Sequence, residues 1–164
     1  MSEPFSRQML SVEDYLVAEE TSKQKHEYVG GDFYAMPGAT SAHNLVASNA
    51  LITIGLQLRD KPFLAFGSDT KLRIVDDSNE TRFYYPDAFV VNRPGSEQES
   101  FQDDPCIICE VTSESTRRID EVEKRNAYLA VPSLAAYIIL ETGAVAATCY
   151  HHNEDSWRRN DYGG

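Results

Sequence analysis

Positive charge is the first thing this sequence is short of. Against 26 Asp and Glu it sets only 15 Lys and Arg, a formal net charge of −11 with a pI of about 4.7. That balance favours solubility and disfavours broad attraction to a polyanion, so contact with nucleic acid would have to use a local patch or a metal ion. Cysteine is scarce as well. Cys106, Cys109 and Cys149 are an odd number, all in apolar surroundings, which reads as buried free thiols in a reducing cytoplasm. No apolar run approaches the roughly 20 residues needed to cross a bilayer. Met1-Ser2-Glu3-Pro4-Phe5 offers no basic segment leading into an apolar one, so no secretory signal is expected and the expected location is cytoplasmic. A Gly-rich phosphate loop, a nucleophile elbow, internal repeats and linkers are also missing.

What is there suits one domain over 1–164, with a core at about 12–150 and a loosely held polar tail at 151–164. Nine Tyr and seven Phe supply bulky core material, and 41% of residues are apolar. A chain of 164 residues buries roughly 70% of its unfolded surface.

In chain order, Ser11 followed by Asp14 resembles a capping box ahead of a short helix through Ala18. Lys25–Val29, Gly30-Gly31-Asp32 and Phe33–Met36 predict a β-hairpin. Glu27 interrupts its first strand, and the pattern alone favours a solvent-facing edge residue there. Ser41–Leu58 predicts a long helix with a broad apolar face and with His43 and Asn44 in its first turn. A strand from Phe63, bent at Gly67-Ser68-Asp69, continues through Lys71–Val75. A polar turn hands it to Phe83–Val91, expected as an antiparallel partner. Arg93–Pro105 reads as a surface loop and Cys106–Thr112 as a central strand. Thr116 is placed to cap a helix over about Arg117–Ala130. Leu134–Glu141 and Val145–Tyr150 complete the count of strands. The order is helix, hairpin, helix, three strands, helix, two strands, which predicts an α/β or α+β class with a mixed sheet.

Two strands carry a carboxylate where an apolar residue is expected: Asp87 and Glu110. A lone buried carboxylate costs several kcal/mol unless it is paired or binds a metal. Pro86 cannot donate a ladder hydrogen bond, so the sheet should open locally beside Asp87. Mg²⁺ takes hard oxygen ligands and keeps several waters, so the two carboxylates suffice as protein ligands, with a backbone carbonyl near Val111 in reserve. On the following helix Asp120, Lys124 and Tyr128 lie at i, i+4 and i+8, on one side. There Lys124 can reach back over the carboxylates, or it can form a mere surface ion pair with Asp120 worth about 0.3–0.5 kcal/mol. Cys106-x-x-Cys109 has redox or zinc spacing, but within a strand the odd spacing puts the thiols on opposite faces. His151-His152 has no cysteine nearby to share a metal.

The ordered series His26-Glu27-Tyr28-Val29-x-Gly31, Ala42-His43-Asn44, Gly67-Ser68-Asp69, Tyr85-Pro86-Asp87, Cys109-Glu110-Val111-x-Ser113-x-Ser115-Thr116, then Asp120, Lys124 and Tyr128, resembles the Uma family of restriction-endonuclease-like proteins. The resemblance runs from about Val12 to Tyr150. It implies a PD-(D/E)XK nuclease fold, a mixed sheet flanked by helices, with an Mg²⁺ (or Mn²⁺) site at one end of the central strands. On that resemblance Pro86-Asp87 matches the PD element and Glu110 the acidic member. The lysine falls at Lys124 on the helix, because the strand position is Thr112. Glu27 matches an N-terminal acidic residue that completes the metal shell. The family's Ser-Pro-Ser-Thr loop reads Ser113-Glu114-Ser115-Thr116 here, and its tryptophan and aspartate in the next strand are replaced in Tyr137–Glu141.

The expected function is therefore Mg²⁺-dependent phosphodiester hydrolysis in nucleic acid, DNA before RNA, with a homodimer as the expected assembly. Asp87, Glu110 and Lys124 are the expected catalytic residues, and Asp87, Glu110 and Glu27 the metal ligands. Asp120, Tyr128 and His43 are expected in support. The alternatives are a nuclease-fold protein with weak or no turnover, acting as a binding or regulatory module, and a structural domain whose carboxylates only make hydrogen bonds.

Overall fold

The computed structural model describes residues 9–92, 98–112 and 119–163, and the side chains of 119–121 lie outside that description. Ser11 caps the first helix as expected: its Oγ accepts from the Asp14 N–H at 3.1 Å and donates to Asp14 Oδ2 at 2.8 Å. Helix α1 (Val12–Thr21) buries Tyr15. Strands β1 (His26–Val29) and β2 (Asp32–Ala35) form the predicted hairpin, in the register Glu27 opposite Tyr34. Gly30 and Gly31 have φ of +55° and +105°, the positive values that a tight hairpin turn demands and that glycine adopts without steric cost.

Helix α2 (Ser41–Gln57) has the predicted extent, with Thr40 as its cap. Its apolar residues do not form one buried face. Leu51 packs over Gly67, whereas Leu45, Ile52 and Leu56 are exposed.

The next four strands differ from the expectation in an instructive way. β3 (Leu64–Gly67), β4 (Lys71–Val75), β5 (Thr81–Tyr84) and β6 (Ala88–Val91) are four short strands in place of two long ones. β4 pairs with β5 in one sheet, and β3 pairs with β6 in another. The chain thus changes sheets twice, at Ser68-Asp69-Thr70 and at Tyr85-Pro86-Asp87. Pro86 brings no N–H to a ladder, so a crossing there sacrifices no strand bond at that residue. Corners made by strands that switch sheets are the standard way for two sheets to share one core.

β7 (Phe101–Gln102) lies parallel to β4, giving a first sheet of order β2-β1-β5-β4-β7. β8 (Pro105–Thr112) pairs with β6 on one side and runs parallel to β9 (Ala136–Glu141) on the other. A parallel pair needs a crossover, and its described part is a π-helical turn, Ile119–Lys124, running straight into α3 (Arg125–Leu129). The expected regular helix is therefore π-wound over half its described length, and its expected cap, Thr116, falls outside the described residues.

The segment expected as a loose tail is a hairpin. β10 (Ala146–Asn153) and β11 (Ser156–Gly163) pair over eight positions and extend the second sheet to the order β11-β10-β9-β8-β6-β3. Trp157 fastens it, packing on the core cluster and donating its indole N–H to the Leu129 carbonyl at 3.1 Å. The core lies between the sheets: Leu72, Ile74 and Tyr84 from the first meet Phe89, Ile108, Tyr137 and Ile139 from the second, with Tyr128 of α3 between them. Arrangement and class agree with the expectation, a mixed α+β fold, with two mixed sheets in place of one.

Candidate functional site

The second sheet change builds the site. Leaving β5, the backbone N–H of Tyr85 donates to Glu27 Oε1 at 3.3 Å, and two residues later Asp87 stands beside β8. Asp87 Oδ2 accepts the Val111 N–H at 2.7 Å, while the Asp87 N–H faces Glu110 Oε2 at 3.4 Å. These reciprocal contacts stitch the opened strand to its neighbour through carboxylates where ladder bonds would otherwise run. His43, in the first turn of α2, places Nε2 3.2 Å from Asp87 Oδ2. The other ring nitrogen, Nδ1, is buried without a partner among the described residues.

Glu110 is the centre of the cluster. It is buried in the middle of β8, and its Oε1 accepts from the Tyr128 hydroxyl at 2.8 Å and from Lys124 Nζ at 3.1 Å. Lys124 also lies 2.9 Å from Glu27 Oε1 and stands over the Tyr84 ring, 5.5 Å from its centroid. The ammonium is thus a bridge between the two sheets, with Glu27 on β1 and Glu110 on β8. Positions 124 and 128 share a side of the helix, so the end of the π-helical turn and the body of α3 both serve Glu110.

Burial is the dominant influence on Asp87, Tyr128 and Cys109. It raises the Asp87 carboxyl, against the lowering effect of the Val111 N–H, His43 and Lys124. Burial, reinforced by the Glu110 and Glu27 charges, holds the Tyr128 phenol well above its usual range. Cys109, behind the cluster on the opposite face of β8, is pushed up to about 12 by burial and by Glu110 and Asp87. A thiol so held is inert, and all three cysteines are free.

The structure therefore brings Glu27, His43, Asp87, Glu110, Lys124 and Tyr128 together. The Asp120 backbone belongs to the π-helical turn, and its side chain lies outside the described ones. Glu27 does not face solvent from an edge: it is part-buried and joins the cluster through Lys124. Among the described residues no group of three or more His, Cys, Asp or Glu side chains is spaced to hold an ion by itself. The donors nonetheless suit a hard cation. Among the described residues Glu27 and Glu110 share the Lys124 ammonium, Asp87 lies against His43, and the neighbouring Asp87 and Glu110 offer the one or two oxygens that Mg²⁺ takes from protein.

A support network escaped the sequence reading. Glu19 of α1 accepts the His26 backbone N–H (2.8 Å) and the Tyr85 hydroxyl (2.9 Å) on Oε1, and its Oε2 lies 3.0 Å from His26 Nδ1. One buried carboxylate so ties β1, which carries Glu27, to the corner that carries Asp87. The only signal was the i, i+4 spacing of Tyr15 and Glu19, which puts both on the buried side of α1. A cavity of about 530 Å³ lies apart from the cluster, lined by Arg73, Arg82, Asp103, Glu123 and Asn126 among others. Its arginines are held by Asp103 and by Asp76 and Glu80.

Comparison with known proteins bears on this arrangement. The chain is 35% identical over 156 residues to the uncharacterized protein slr1290 of Synechocystis sp., covering 94% of this chain and 79% of that one. It is 28% identical over 140 residues to the uncharacterized protein sll1609 of the same organism, covering 81% and 75%. Its fold matches, with a TM-score of 0.70 and 12% identity, a crystal structure described as a putative nuclease belonging to DUF820 from Anabaena variabilis, over 92% of this chain and 83% of that one. The family described as "Uma2: Putative restriction endonuclease" matches residues 12–164, hairpin β10–β11 included. The chain belongs to the Uma2 family and has the restriction-endonuclease-like fold.

Proposed function

We propose that the protein is a Mg²⁺-dependent nuclease, with Mn²⁺ able to substitute, hydrolysing phosphodiester bonds in nucleic acid, DNA before RNA. The observation that carries this reading is Lys124 Nζ held at 2.9 and 3.1 Å between Glu27 and Glu110, with Asp87 alongside Glu110. A cation, two neighbouring carboxylates and a third acid meet where a strand has opened, an arrangement of hard oxygen donors that suits a divalent cation.

Asp87 and Glu110 would hold the metal, with Glu27 near enough to assist. Bound there, Mg²⁺ supplies Lewis-acid polarisation of the phosphoryl group and acidifies water. Lys124 donates toward a non-bridging phosphoryl oxygen or fixes the attacking water, its position set from both sides by Glu27 and Glu110. Tyr128 orients Glu110 by donating to Oε1, and His43 steadies Asp87. The water oxygen bonds to phosphorus and releases a proton, the bond to the leaving oxygen breaks, and that oxygen takes up a proton, so one water is consumed for each bond cut.

Cleavage of DNA and RNA with Mg²⁺ or Mn²⁺ tests the reading, run beside Asp87→Ala, Glu110→Ala and Lys124→Ala and beside calorimetric Mg²⁺ binding. Cleavage lost in all three variants is expected. No cleavage of any nucleic acid together with no Mg²⁺ binding refutes it. The net charge of −11 favours a second reading, a binding or regulatory module. Nucleic-acid binding without turnover in the same experiment would select it.

A further inference from the structure

The first sheet carries a row of side chains from the core to solvent, on the face that holds Glu27. Leu72 of β4 is fully buried and pairs with Tyr84 of β5, which is 6% exposed. Tyr84 stands beside Glu27, whose side chain is 15% exposed, and Glu27 pairs directly with Tyr34 of β2, which is 51% exposed. Directly opposed residues of an antiparallel pair put their side chains on one face with Cβ atoms about 5 Å apart. β2 is the edge of its sheet among the described residues. Exposure thus rises along this row from the cluster to the β2 edge, where the side chain is an exposed aromatic. Tyr34 makes no ring contact or hydrogen bond among the described residues. Phe33, its neighbour, points to the other face and meets His26.

The charges of this sheet narrow what passes over that edge. Its strands carry Lys71, Arg73 and Arg82 as their only Lys or Arg. Lys71 is 5% exposed, Arg73 is held by Asp103, and Arg82 by Asp76 and Glu80. Duplex binding without base readout rests on lysines and arginines that neutralise successive phosphates. Among the described residues, the strands of this sheet do not present them. An aromatic ring binds by stacking, which needs no positive charge, but it requires a base whose face is free.

We propose that the site takes an unpaired nucleic-acid strand, single-stranded or locally opened, with a base stacked on Tyr34 beside the strand's scissile phosphate. The inference rests on the nuclease reading and adds its substrate class. It also answers the charge problem: the acidic surface turns away duplex, while stacking and the metal hold the single strand.

The test is fluorescence anisotropy of a labelled oligothymidylate and of a labelled duplex, with Ca²⁺ replacing Mg²⁺, on wild type, Tyr34→Ala, Tyr34→Trp and Tyr162→Ala. Asp87-dependent cleavage is measured in parallel. Tyr162 is equally exposed, on β11 of the other sheet. Expected are tighter binding of the single strand than of the duplex, a loss of roughly tenfold in Tyr34→Ala, retention in Tyr34→Trp and no effect of Tyr162→Ala. If cleavage depends on Asp87 but Tyr34→Ala binds the single strand as wild type does, or duplex is preferred, this inference falls and the nuclease reading stands. If no nucleic acid is bound or cleaved, both fall.

Discussion

Replacing Lys124 by methionine removes the one ammonium from the cluster while nearly preserving side-chain volume, so packing contributes little to the result. The charge sits 2.9 Å from Glu27 Oε1 and 3.1 Å from Glu110 Oε1, with its side chain 8% exposed. At an effective dielectric constant of about 20, each contact is worth roughly 5 kcal/mol of gross Coulomb attraction. Desolvation offsets much of this, and breaking a buried pair from one side costs about 3–5 kcal/mol because the remaining charge stays uncompensated. For a chain of this length 1 kcal/mol moves the melting temperature by about 2–4 °C. Lys124→Met is therefore expected to melt about 6–20 °C below wild type in a chelator. Losing the ammonium leaves the site more negative, so millimolar Mg²⁺ should raise the variant's melting temperature by more than it raises that of wild type. Calorimetric melting of both proteins, with and without Mg²⁺, reads both effects. A variant that melts with wild type in chelator refutes the bridge as a buried, stabilising contact. A variant that melts low but gains no more from Mg²⁺ refutes the carboxylates as cation ligands.

Three further outcomes follow from the same geometry. Asp87 is raised by burial, so folding favours its protonated form. Its contribution to stability is full below the ordinary carboxyl value of about 4 and is lost as pH rises through the raised one. Asp87→Asn should accordingly raise the melting temperature at neutral pH in a chelator and flatten its fall from acid to neutral pH; an unchanged pH profile contradicts this. Tyr128→Phe deletes a buried donor to Glu110 at 2.8 Å, a loss of about 1.5–3 kcal/mol. It should lower chemical stability and cleavage together, measured by urea titration and turnover. Trp157→Ala should cost on the order of 2 kcal/mol from lost packing and one hydrogen bond, yet leave Mg²⁺ affinity unchanged in calorimetry. Lost affinity would mean that hairpin β10–β11 shapes the site.

Much of this was legible because local chemistry and tertiary structure agree. The Ser11–Asp14 cap, the Gly30-Gly31 turn and the out-of-place carboxylates at 87 and 110 each state a requirement that the fold meets nearby. The misreadings arise where the local pattern does not say which partner a segment meets. Phe83–Val91 reads as one apolar strand, and only the missing N–H of Pro86 hints at a corner between two. β11 reads as a tail because it is polar, as suits a strand at the edge of its sheet among the described residues, and Arg158, Arg159 and Asp161 are charged side chains of the kind that discourage further pairing there. On α2, apolar composition was read as one buried face, yet Leu45, Ile52 and Leu56 remain exposed.

The lysine is where sequence and structure meet most closely. Thr112 lies two residues beyond Glu110 on the same face of β8, and it is buried. A lysine there would approach Glu110 from within the same strand. From the helix, Lys124 approaches between the sheets and contacts Glu27 and Glu110 at once. The π-helical turn ends on Lys124 itself. Inserting a residue into a helical turn in this way is a recurrent means of re-aiming side chains at functional sites. At its end and beyond it, Lys124 and Tyr128, one α-turn apart, share Glu110 Oε1. Moving the cation to the helix therefore couples the charge balance of the site to the packing of both sheets, and a change that shifts α3 should alter the site as surely as a change to a carboxylate.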